Sequence, residues 1–102
     1  MNRIINKCKQ LLKDHYGTQF QGLILYGSMA RNQSDPASDI DLLVLLTGPF
    51  DYFEELRKIT DLLYTLQLES QQLLSVKPVA VDEFERGGIQ LYRNAKSDGV
   101  TV

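Results

Sequence analysis

The chain has no tryptophan, one cysteine (Cys8), one histidine (His15) and three prolines in 102 residues. A lone cysteine excludes an intramolecular disulfide and suits a reducing compartment. One cysteine and one histidine also exclude a zinc site of the usual kinds. A Ser-His-Asp triad would need His15, which has no supporting partner nearby in sequence; a surface or helix-cap histidine is the plainer reading. The longest apolar run, Leu42 to Leu46, is far too short to span a bilayer, so no membrane partner is expected. No strong charge excess is present: the net charge is -2, which argues against nucleic acid as a direct partner. The first residues place Arg3, Lys7, Lys9 and Lys13 between apolar positions, the pattern of a surface helix and not of a signal peptide. The expected location is the cytoplasm.

At 43% hydrophobic and 24% charged residues, the composition is that of a globular protein with a modest core. No repeat, low-complexity stretch or long linker divides it, so one domain over residues 1–102 is expected. Apolar spacing predicts a helix over 2–15, a buried strand over 20–26, a strand over 39–46 ended by Gly48-Pro49, and a helix over 51–66. Asp51 with Glu54 three residues later forms an aspartate version of a capping box. Tyr52, Leu56, Ile59, Leu63 and Leu66 line one face of that helix, and Phe53, Leu62 and Tyr64 widen it; core packing is the favoured role for these aromatics, a partner contact the other. A third strand is expected over 73–81, at an edge because Pro78 cannot donate to a ladder. A short acidic helical turn at 82–85, broken by Gly87-Gly88, and a helix over 89–96, stopped at Gly99, complete the chain. The order α-β-(α)-β-α-β-α implies an α/β (α+β) fold, with helices packed against a small mixed sheet.

The chemistry concentrates between Tyr26 and Val44, YGSMARNQSDPASDIDLLV. Asp39 and Asp41, two apart on a strand, leave the same face, while Ile40 and Leu42 point away into the core. Paired carboxylates on an apolar strand are costly without a cation, and their hard oxygens suit Mg²⁺ or Mn²⁺. Gly27-Ser28, closing the preceding strand, lets backbone amides approach a phosphate. The P-loop and dinucleotide fingerprints are both absent.

Gly-Ser, ten residues, then Asp-x-Asp in an apolar strand resembles the signature of the polymerase-beta-type nucleotidyltransferase superfamily. Ser28-Met29-Ala30-Arg31, Ser38 to Val44, Ser75 to Val79 and Glu83-Phe84-Glu85 make the chain similar to the minimal nucleotidyltransferase family, from the first helix to Gly99. The resemblance implies the nucleotidyltransferase fold. It assigns Gly27 and Ser28 to the triphosphate and Asp39 and Asp41 to the metals and to catalysis. Arg31 matches the arginine after the family's turn, as a phosphate contact or a structural ion pair. Lys77 is a candidate phosphate ligand or a solvated edge-strand lysine. The implied reaction is transfer of AMP from ATP, with Mg²⁺ or Mn²⁺, to an acceptor hydroxyl with release of pyrophosphate. Family members commonly stand beside a helical HEPN-type protein as the antitoxin of a toxin–antitoxin pair, which implies a tyrosine of that partner as acceptor.

One position departs from the family's pattern. Where the superfamily places a third carboxylate, this sequence has Ser75, with Lys77 two residues on. Asp82, Glu83 and Glu69 flank that strand. A catalytically weakened antitoxin acting by occlusion is therefore the alternative. A transferase for a small-molecule acceptor ranks last, because the chain lacks room for acceptor-binding structure.

Overall fold

In the computed structural model, which describes residues 3–27, 30 and 39–102, the central strand is the most apolar part of the chain. This strand, β2 (Ile40–Leu46), is flanked by β1 (Phe20–Tyr26) and β3 (Leu74–Ala80), and β1 carries β4 (Val100–Thr101) on its outer side. The sheet order is β3-β2-β1-β4. β1 pairs antiparallel with β2 and with β4, whereas β2 and β3 run parallel. The sheet is therefore mixed, as expected, and Pro78 lies on an edge strand.

Both faces of β2 are covered. Ile40, Leu42, Val44 and Leu46 pack with Ile5, Cys8 and Leu12 of α1 (Arg3–Tyr16) and with Ile59, Leu63 and Leu66. Leu43 and Leu45 pack on the other face with Ile24, Val79, Phe84 and Ala95. The core is thus two layers divided by the sheet. Leu42, Leu43, Val44 and Leu46 are each 0% exposed, and each such burial contributes about 1.5–3 kcal/mol. Asp41 is the one polar residue in the strand.

The helix expected over 51–66 is two helices. α2 spans Tyr52–Leu62 and α3 spans Tyr64–Glu69, with Leu63 between them at φ -94°, ψ 5°. Ile59, Leu63 and Leu66 remain buried, whereas Tyr52, Phe53 and Tyr64 face solvent, 38%, 75% and 59% exposed. Their assignment to the core is corrected accordingly. The capping box is half formed: the Asp51 side chain accepts from the Glu54 N–H at 2.9 Å, while the Glu54 carboxylate goes to Lys58 at 3.2 Å.

α4 (Val81–Arg86) buries Phe84 and ends at Gly87, whose left-handed φ of 63° suits glycine. α5 (Gln90–Asp98) crosses the same face and buries Ala95. β4 follows directly, past the expected helix stop at Gly99 and at residues for which the sequence pattern predicts no element; Val100 pairs with Leu25 and Thr101 with Ile24. A two-residue strand carries no periodicity, and the unpaired edge of β1 is what recruits it. No helix among the described residues is long and apolar enough to cross a membrane.

Candidate functional site

The end of β1 and the start of β2 meet because the two strands are antiparallel neighbours. Tyr26 is the register partner of Asp41, and Gly27 follows immediately. Gly27 has φ 77°, a conformation in which a side chain is strained. A Cβ at this position would lie 2.6 Å from Asp41 Oδ2. Glycine is thus required twice, by its backbone and by the carboxylate pressed against it. The turn and the carboxylates, separate features of the sequence, adjoin in space.

Asp39 is exposed at the threshold of β2, and Asp41 is half-buried on the face shared with Leu43 and Leu45. Burial, followed by the charge of Asp39, raises the Asp41 carboxyl above its ordinary range, and the ammonium of Lys77 pulls it back. This is the electrostatics of a carboxylate pair that a divalent cation would relieve. Mg²⁺ is commonly held by one or two carboxylates together with substrate phosphates and water, so the donor set fits such an ion. Among the described residues, no cluster of three or more His, Cys, Asp or Glu could hold a metal.

The parallel register of β2 and β3 sets Ser75 directly beside Asp41 and Lys77 beside Leu43. Ser75 and Lys77 therefore share the carboxylate face. Neighbouring acids do not replace the missing one. Glu69 pairs with Lys7 at 3.1 Å and Asp82 with Arg86 at 3.3 Å, while Glu83 acts electrostatically on Tyr92. The structure thus brings Gly27, Asp39, Asp41, Ser75 and Lys77 together. Ser28 and Arg31 lie outside the described residues.

Three tyrosines border this site, a feature that sequence spacing did not reveal. Burial, Asp41 and Tyr52 together push the Tyr26 phenol up to about 12. Tyr92 is raised by burial, Glu83 and Tyr52. Tyr16, away from this group, is half-buried and donates to Glu55 at 3.0 Å, joining α1 to α2. Tyr26, Tyr52 and Tyr92 come from three different elements, so only the fold unites them. On the opposite face, Ile59, Leu63, Tyr64, Gln67 and Leu73 line an apolar hollow at the α2–α3 bend, and no carboxylate contributes to it.

Comparison with known proteins gives a consistent picture. The family described as polymerase beta, nucleotidyltransferase, matches residues 6–98. None of the curated proteins matches the chain. A solved toxin–antitoxin MntA-HpeT mutant has a chain similar to this one, with TM-score 0.66 and 20% identity over 100% of this chain and 72% of that one. A provisional nucleotidyltransferase from Sulfolobus solfataricus has TM-score 0.59 and 18% identity, over 97% of this chain and 78% of its own. A toxin–antitoxin structure with AMP-PNP has TM-score 0.55 and 22% identity, over 94% and 69% of the respective chains. At these identities the likeness to solved structures is one of fold.

Proposed function

The chain belongs to the polymerase beta nucleotidyltransferase family, and from that premise we propose that it transfers AMP from ATP to a hydroxyl of a helical, HEPN-type partner protein, most simply a tyrosine, and acts as its antitoxin. The observation that carries this reading is the contact between the Gly27 turn and the Asp41 carboxylate, which sets a phosphate-holding element against a cation-holding one. Toxin–antitoxin assemblies among the similar folds, one of them with AMP-PNP, support the choice of partner and nucleotide.

In this reading Gly27 and Ser28 restrain the β- and γ-phosphates through backbone and hydroxyl donors, and Arg31 supplies a further cationic contact. Asp39 and Asp41 would hold Mg²⁺ or Mn²⁺, which when bound neutralises phosphate charge and aligns the α-phosphate. Asp41 is anchored in β2 and fixed against Gly27, so the chain contributes a preorganised site that costs little rearrangement as charge develops. The acceptor oxygen forms its bond to the α-phosphorus as the bond to the bridging oxygen breaks, and pyrophosphate leaves with that electron pair.

The test is incubation with α-labelled ATP and Mg²⁺, with and without the neighbouring gene's product. Label is expected on the partner, and Asp39→Asn or Asp41→Asn is expected to reduce it by about a hundredfold or more without loss of fold. Full labelling by both variants would remove the metal role assigned to these residues.

A second reading rests on Ser75, the register partner of Asp41 where a third acid is expected. Here the protein binds nucleotide and neutralises its partner by occlusion alone. Neutralisation retained by Asp39→Asn, with no label on the partner in any sample, would favour it.

A further inference from the structure

A groove of about 250 Å³ opens on the carboxylate face, lined by Leu43, Tyr52, Lys77, Ile89, Leu91 and Tyr92. It lies beside the proposed active site. Leu43 is one step along the same face of β2 from Asp41, Lys77 acts electrostatically on Asp41, and Tyr52 acts on Tyr26 at the site's other border. Among the described residues, no ion pair involves Lys77.

The sheet order gives this groove a direction. β2 lies between β1 and β3, so Gly27 stands on one side of Asp41 and Lys77 on the other. An in-line displacement places the nucleophile and the leaving group on opposite sides of the phosphorus. With pyrophosphate restrained at the Gly27 turn, the attacking oxygen approaches from the β3 side, where the groove lies.

We propose that this groove receives the acceptor and that Lys77 is a catalytic residue, its ammonium holding the attacking oxygen as the anion where a third carboxylate would otherwise take the proton. This rests on the nucleotidyltransferase reading above. Neither Ser75 nor a charged lysine can accept the acceptor's proton, so that proton leaves to solvent before attack. The anion then forms its bond to the α-phosphorus, the bond to the bridging oxygen breaks, and pyrophosphate departs. Such a site favours acceptors that ionise readily. A phenol does so at a pH of about 10, several units below an aliphatic alcohol. The walls agree with that chemistry: two tyrosine rings, Ile89 and Leu91 suit a flat apolar body, and the ammonium suits its oxygen tip.

The experiment uses the full chain, α-labelled ATP, Mg²⁺ and two probe acceptors, N-acetyl-tyrosinamide and N-acetyl-serinamide. Affinity for magnesium AMP-PNP is measured first by calorimetry. The wild type is expected to bind the analogue and to label the tyrosine probe at least about tenfold faster than the serine probe. Lys77→Met is expected to lower kcat for the tyrosine probe by about tenfold to a hundredfold, with analogue affinity unchanged within about twofold. Lys77→Arg restores most of the rate, Tyr92→Ala raises KM for the probe, and Ser75→Asp raises labelling of the serine probe. If Lys77→Met weakens the analogue as much as it slows transfer, Lys77 is a phosphate ligand and the proposal is overturned. Equal labelling of both probes, or of neither while the analogue binds, overturns the acceptor assignment and leaves the nucleotidyltransferase reading standing. Failure of the wild type to bind the analogue overturns both.

Discussion

Gly27 illustrates how much a single position can carry. Its φ of 77° and the Asp41 Oδ2 atom, 2.6 Å from where a Cβ would stand, both bar a side chain there. In Gly27→Ala, the left-handed backbone alone costs about 1–2 kcal/mol, and the carboxylate must also shift. Displacement of the reacting groups by an ångström can lower a rate by about a hundredfold, so transfer is expected to fall far more than stability. Parallel measurement of labelling rate and thermal midpoint checks this; an active, equally stable Gly27→Ala would mean that the turn does not set the carboxylate's position. The glycine, the carboxylate pair and the serine at the third-acid place were all legible as residues. Their contact was not, because thirteen residues of chain separate Gly27 from Asp41 and a one-dimensional pattern contains no distance.

Among the elements, the apolar strands and amphipathic helices were readable from periodicity, and the departures have local causes. The break at Leu63 left no glycine or proline signal, and the uninterrupted spacing of Ile59, Leu63 and Leu66 read as one helix because all three remain buried on the bent path. The cap is a cleaner signal. Asp51 accepts the Glu54 N–H at 2.9 Å, and Asp51→Ala is expected to cost about 1 kcal/mol, roughly a 4–8 °C fall in Tm for a domain of this size. A Tm within one degree of wild type would show that the cap contributes nothing measurable. The five ion pairs among the described residues each include at least one well-exposed partner, so they add little stability by comparison.

For the whole molecule, stability resides in the two apolar layers on either side of β2, and Cys8 reports on one of them. It is 0% exposed within the layer formed by α1, α2 and the sheet, and burial pushes its thiol up to about 11. An unfolded thiol ionises at about 8.5–9, so the unfolded chain releases this proton first as pH rises. The protonated thiol therefore contributes fully below pH of about 9, and that contribution is lost as pH rises through about 11. The loss amounts to about 2–3 kcal/mol at the upper end. Urea unfolding of wild type and Cys8→Ala at pH 7.5 and 10.5 separates this proton's effect from general alkaline weakening, and the wild type is expected to lose more. Equal losses would assign the thiol no part in alkaline sensitivity. In the native state the same burial predicts slow labelling by a thiol reagent at neutral pH.

The amino-acid sequence by itself determined most of the elements, their order, the edge position of the proline-bearing strand and the candidate residues for the chemistry. These depend on local preference and on the period of burial, both of which are written along the chain. Tertiary structure alone decided that β2 is covered on both faces, that β1 recruits Val100 and Thr101, and that Tyr26, Tyr52, Lys77 and Tyr92 border one site. Each of these depends on which strands become neighbours, and strand neighbours are selected by packing free energy summed over the whole sheet and its two layers of helices.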